Sequence, residues 1–317
     1  MVKSESRRSF SVSGPRLRRL GRKQKKFKAK KEAKERVRLP GSFRHTWRSF
    51  KVIKRFWKPL VGITGIYLIL NIIFASGISN LSTAVSDIKF NLEIGDAANL
   101  SPLSTALNGF GNLVASAGTS GSSTGSVLQT ALIVIVSLVL IWALRHLLAG
   151  KKIKVKQAYY SAMFPLIPFL LVLLVIFIQL LPVLFGIPVI SALLGAAFPS
   201  GGVLAGLILT AVSILLLGWS LYMLSSSVFS VYIVTLPDMH PRRALKSAKN
   251  LVKFRRWAIM RRLIYLPIFI LAAMGVLVIP LILYATFLVV PVFYTLSVFS
   301  LLFVHVYLYT FYRELIK

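Results

Sequence analysis

A chain of 317 residues that is 56% hydrophobic and only 15% charged departs from soluble domains, where about a quarter of residues carry charge. Its 39 Lys/Arg against 8 Asp/Glu give a net charge of +31, which implies an anionic partner such as lipid headgroups, nucleic acid or an acidic protein. No Cys is present, so disulfides, thiolate catalysis and thiolate-held metals are excluded.

Residues 1–38 hold 16 Lys/Arg against Glu5, Glu32 and Glu35, with few apolar side chains. Such a stretch buries too little surface to offset the entropy of ordering, so a disordered polybasic cytoplasmic tail is expected. Residues 22–38 are expected to turn helical only on an anionic surface, with Glu32 and Arg36 as i,i+4 partners. The run Ser6-Arg7-Arg8-Ser9-Phe10 is similar to a twin-arginine signal but lacks the apolar stretch that follows one. The first long apolar run starts near Pro59, so no cleavable signal peptide is expected.

The next segment differs in kind. Over 40–58, Phe43, Trp47, Phe50, Ile53 and Trp57 recur at helical spacing, and Arg44, Arg48, Lys51, Arg55 and Lys58 recur on another face. That pattern predicts an amphipathic helix. Its place before an apolar run predicts that it lies in the membrane interface, anchored by Trp47 and Trp57.

Six apolar runs follow, and a helix needs about 20 residues to cross roughly 30 Å of hydrocarbon. They cover about 59–79, 127–147, 165–185, 203–235, 263–284 and 288–311. Residues 80–126 are rich in Ser, Gly, Thr, Asn and Ala, carry Asp87, Glu93, Asp96 and Lys89, and are expected as an outer loop. Residues 186–202 are uncharged and are expected at the interface. The fourth run would extend roughly 50 Å as one helix, so it must tilt, break or project; Ser225, Ser226 and Ser227 mark a change of environment. Of the 39 Lys/Arg, 22 lie in 1–58, five in 145–156, nine in 242–262 and two after the last run, leaving Lys89 alone on the other side. Lys/Arg mark the cytoplasmic side. The expected fold is therefore all-α, a polytopic transmembrane bundle of six spans in three hairpins over 39–317, in a plasma membrane with both termini on the cytoplasmic side.

The chain also reads as three similar units, each a basic segment, a proline-bearing span start and a helical hairpin. The starts are Trp57-Lys58-Pro59, Phe164-Pro165-Leu166 and Tyr265-Leu266-Pro267, and two preceding segments share Ala-x-x-Ser at Ala158/Ser161 and Ala244/Ser247. Thr46/Ser49 is a looser analogue. Repeats of this kind occur in transporters, and proline also suits any first helical turn. In the third unit, Ala244, Ala248 and Leu251 fall on one side and Lys246, Lys249, Lys253 and Arg256 on another, predicting a second in-plane helix with Trp257 as its anchor. Headgroup contacts are expected from Arg44, Arg48, Lys51, Arg55 and Lys58 in the first helix. In the second they are expected from Arg242, Arg243, Lys246, Lys249, Lys253, Arg255 and Arg256.

Pro241, Ala244, Leu245, Ser247, Leu251 and Trp257 together resemble the membrane domain of the glycerophosphodiester phosphodiesterase membrane-domain family. The resemblance is best over 230–290. Phe254-Arg255-Arg256 stands where that pattern has a small residue before the Trp. The family's soluble catalytic barrel would need about 250 residues outside the membrane. The resemblance thus implies the membrane module and not the hydrolase.

No catalytic, cofactor or metal constellation is expected. Asp87, Glu93 and Asp96 suit a solvated loop, and His45, His146 and His240 sit among basic residues at span ends. His305 lies inside the sixth span, where an ionisable group is a functional candidate by default; without an acidic partner in the spans, the favoured expectation is a neutral imidazole bonded to a neighbouring helix. Asn71 and Gln179 are expected to bond between helices. Three functions fit these features. One is a non-enzymatic membrane module binding anionic lipid or organising envelope partners through its basic face. Another is a transporter or lipid-handling channel, and the third an insertase-like protein tethering ribosome or RNA through residues 1–38.

Overall fold

Backbone in hydrocarbon must satisfy its own hydrogen bonds, and long apolar runs do so as helices. The computed structural model describes residues 41–75, 85–86, 102–116, 123–198, 202–237, 239–253 and 255–316. The basic tail of 1–38 lies outside the described residues. Among those described, the regular elements are helices and none is a strand.

In chain order they are α1 (Ser42–Arg55), α2 (Trp57–Ala75), α3 (Pro102–Ser116), α4 (Ser123–Leu148), α5 (Val155–Ala162), α6 (Leu166–Ala197), α7 (Val203–Ser227), α8 (Ser230–Ile233), α9 (Pro241–Val252), α10 (Arg256–Tyr284) and α11 (Val289–Ile316). Six helices are long and apolar enough to cross a membrane, and the protein is a multi-pass membrane protein. The fourth run is interrupted at Val228–Phe229, straight after the three serines, and resumes as the single turn of α8.

Two sequence expectations are corrected. The outer loop 80–126 contains a 15-residue helix, α3. Pro102 suits a first turn, and Ala106, Phe110, Leu113 and Val114 form an apolar stripe. That stripe packs along Met274, Val278 and Ile282 of α10 and Val289, Phe293 and Tyr294 of α11. The third span does not end near 185: α6 runs to Ala197 through Pro182 and Pro188.

The three units share one layout, a short helix followed by two long ones: α1-α2-α4, α5-α6-α7 and α9-α10-α11. The long pairs pack as hairpins, and each short helix docks on the unit before it. Helix α5 sits on α4 and α2, α9 sits on α7 and α6, and α1 closes the ring by packing on α11. The docking stripes are small: Ala158 and Ala162 in α5, Ala244 and Ala248 in α9, and Thr46 and Ser49 in α1, all buried. Small residues let helix backbones approach closely where lipid supplies no hydrophobic drive. Gly62 of α2 serves the same end, since a Cβ there would sit 3.0 Å from Val155 of α5.

Arginines bind the units at the ring's basic end. Arg313 of α11 donates to the Leu148 carbonyl at the end of α4, 3.3 Å away. Arg145 of α4 donates to the Thr235 and Tyr232 carbonyls beyond α7, at 2.6 and 3.3 Å, and to the Thr235 hydroxyl. Both satisfy orphan carbonyls where helices end, a place that favours cations.

The hairpins differ in burial. In their most apolar stretches 50% of α4 is buried, against 6% in each helix of the α6-α7 hairpin. The second hairpin therefore stands at the periphery, while α11 touches α1, α2, α4 and α10.

Overfilling a docking stripe tests this packing. Ala248→Leu should cost about 1–3 kcal/mol by overpacking, and Lys246→Leu on the exposed side of α9 should cost far less. Thermal unfolding of the two variants in detergent micelles measures the difference.

Candidate functional site

The basic end gathers α1, α5, α9 and the last turns of α4 and α11. Helix α1 has three faces rather than the two read from its periodicity. His45, Thr46, Ser49 and Ile53 are buried against α11. Phe43, Trp47 and Trp57 are exposed, as are Arg44, Lys51, Arg55 and Lys58. The aromatic face is thus turned away from the protein, where lipid would lie.

The docked face is polar. His45 Nε2 lies 3.1 Å from the Tyr307 carbonyl, and its Nδ1 lies 3.2 Å from a carboxylate oxygen of Glu314. Both ring nitrogens face acceptors. Arg48 pairs with the other Glu314 oxygen. Ser49 and Thr310 place their hydroxyls 3.3 Å apart. Arg262 is buried nearby, over the Phe311 ring at 4.5 Å and within electrostatic reach of Glu314. Glu314 is the single acidic residue among those described, and this cluster gathers around it. The sequence reading missed both the cluster and Arg262, because their partners lie more than 200 positions away in the case of Glu314 and α1.

Helix α9 buries one face and exposes another. Ala244, Ala248 and Val252 are buried, Pro241 opens the first turn, and Leu245, Ser247 and Leu251 are half-buried. Arg242, Arg243, Lys246, Lys249 and Lys253 are exposed, and Trp257 is 72% exposed beside them. Two of the expected headgroup residues also have partners within the protein. Arg48 is engaged by Glu314, and Arg256 lies half-buried over the Tyr222 ring at 4.8 Å. Arg255 is half-buried as well.

Polar groups inside the bundle connect helices. Tyr294 donates to Asn71 Oδ1 at 2.6 Å, and Asn71 donates to the Tyr67 hydroxyl at 3.2 Å, joining α2 to α11. Ser220 donates to the Gln179 carbonyl at 3.0 Å and Ser227 to its side-chain oxygen, joining α6 to α7. His305 is the exception: its Nδ1 lies 2.9 Å from the Leu301 carbonyl of its own helix rather than a neighbour's. In α5, Tyr159 donates to the Ile63 carbonyl at 3.0 Å, and burial pushes its phenol up to about 12, so it stays a neutral donor.

Two concavities mark the basic end and the wall below it. One, of about 570 Å³, is lined by Trp142, Arg145, His146, Ser161, Thr235 and His240, among others. The other, of about 530 Å³, is an apolar groove lined by α4 and the start of α6. Among the described residues no group of three or more His, Asp or Glu is placed to hold a metal. No family model matches the chain, and no curated protein or solved structure matches it.

The Glu314 cluster makes an unequal prediction for its two basic partners. Glu314→Ala removes the carboxylate that pairs with Arg48, faces His45 and lies within electrostatic reach of the buried Arg262, and should cost about 3 kcal/mol or more. Arg48→Ala, at a side chain 57% exposed, should cost about 1 kcal/mol or less, since exposed ion pairs are weak. Unfolding midpoints in one detergent compare them.

Proposed function

We propose that the protein is a non-enzymatic membrane module whose basic end binds anionic lipid headgroups from the cytoplasmic side of a plasma membrane. The observation that carries this is the sidedness of α1 and α9. Each spends its small or polar face on docking and leaves bases outward, with Trp47 on α1 and Trp57 and Trp257 at the starts of the helices that follow also exposed. An outward face of Trp with Lys/Arg suits the headgroup level, where aromatic rings sit at the boundary and each base near an anionic surface contributes about 1 kcal/mol. The likeness of residues 241–257 to a known membrane domain belongs to the same proposal. So does the orientation, which rests on the distribution of Lys/Arg between the two ends.

Tryptophan quenching tests the proposal. In nanodiscs of mixed phosphatidylglycerol and phosphatidylcholine, bromine is placed on one lipid or the other at equal mole fraction. Trp47, Trp57 and Trp257 should be quenched more by brominated phosphatidylglycerol. Changing Arg242, Arg243, Lys246 and Lys249 to Gln should remove that preference at Trp257. Equal quenching by both lipids in the unmodified protein would refute a headgroup-selective face.

A further inference from the structure

The joint between the first and second units is the loosest in the ring. Helices α4 and α6 touch only sparsely, and α5 bridges them at the basic end. Along this seam run both concavities, and one stripe of α4 lines them in succession: Val127, Ala131 and Val134 in the groove, then Leu138, Trp142 and Arg145 in the cavity. The steps of three and four residues put all six on one helix face. On the α6 side the two alternate, with Leu166 and Leu170 in the groove and Pro168 in the cavity.

The lining changes character along the stripe. The groove is almost wholly apolar and lies open along the side of the bundle, while the cavity presents Arg145, His146 and His240. Arg145 spends donors on the Thr235 and Tyr232 carbonyls, yet no carboxylate among the described residues neutralises it. Asp238, between two cavity-lining residues in sequence, lies outside the described residues. From Arg145 to Val134, at the near end of the groove, is roughly 16 Å of helix, and to Val127 at its far end roughly 27 Å, against a hydrocarbon core of roughly 30 Å. A positive recess above an apolar trough has a charge that suits the phosphate of an anionic phospholipid and a wall that suits its acyl chain.

We propose that this seam is a binding site for one anionic phospholipid, with its phosphate in the Arg145–His146–His240 cavity and an acyl chain along Ala131, Val134 and Leu170. It rests on the lipid-binding reading of the basic end but names a discrete, stoichiometric site apart from the outward faces of α1 and α9.

The test uses the full chain in maltoside micelles with native mass spectrometry and thermal shift. The probes are phosphatidylglycerol, phosphatidylcholine and inorganic phosphate. The unmodified protein should retain one phosphatidylglycerol per chain and be stabilised by it, with little response to the other two. Ala131→Trp, which fills the groove where the wall is open, should weaken retention at least tenfold. It should leave the bromolipid preference of Trp257 intact. Arg145→Lys, which keeps a charge but loses the forked donors, should weaken retention as well. The Gln-substituted α9 should do the reverse, losing the preference and keeping the bound lipid. Retention unchanged in Ala131→Trp would overturn the site while leaving the basic face standing. Stabilisation by inorganic phosphate equal to that by phosphatidylglycerol would overturn the lipid as occupant. Loss of both retention and Trp257 preference in the Gln-substituted α9 would overturn the separation of the two.

Discussion

A polar joint centred on one carboxylate docks α1 on α11, beside the contacts that α2 and α4 make with the same helix. Three units dock in sequence, and the contact of α1 on α11 is the only one that joins the chain's first described helix to its last. Glu314 is at its centre, set against His45 and Arg48 from α1 with Arg262 close by. Lipid tails are as apolar as leucine, so helices gain little from hiding apolar surface from one another. Close approach at small residues and hydrogen bonds must then supply the attraction. The buried small-residue stripes supply the first, and Glu314, Arg145 and Arg313 supply the second where helices end.

This division of labour explains the outward chemistry. Because docking uses alanines, serine, threonine and histidine, most bases of α1 and α9, and Phe43 and Trp47 of α1, face the surroundings. The same ring has one joint without a comparable clasp, between α4 and α6. There Arg145 reaches past the gap to the backbone beyond α7 rather than to α6 itself. The weak joint, the sparsely buried second hairpin and the concavities along α4 are thus aspects of one arrangement.

The long helices and the basic end were legible in the sequence, because hydropathy and Lys/Arg position respond to the bilayer directly. The amphipathic helices before the first and third hairpins were legible for the same reason. Less visible was α3: its apolar residues follow helical spacing, but the Ser, Gly and Asn between them read as loop. The end of α6 was hidden by Pro182 and Pro188, which stop helices in water and are accommodated within membranes. The third face of α1 is hard to read from sequence because His45, Thr46 and Ser49 are polar, and polar residues on an amphipathic helix suit solvent as readily as a buried joint. Glu314 stood out in composition only as one acid near the last run. Its role depends on a helix 266 residues away.

Closure of the ring is the claim on which the sided faces and the loose seam both depend. The chain has no native Cys, so a cysteine pair at Ser49 and Thr310, whose hydroxyls stand 3.3 Å apart, can report it in membranes. Mild oxidation should join the pair within one chain nearly completely, while a pair at Ser49 and Ser220 should stay reduced. A Ser49–Thr310 pair that remains reduced in correctly inserted protein would contradict a closed ring.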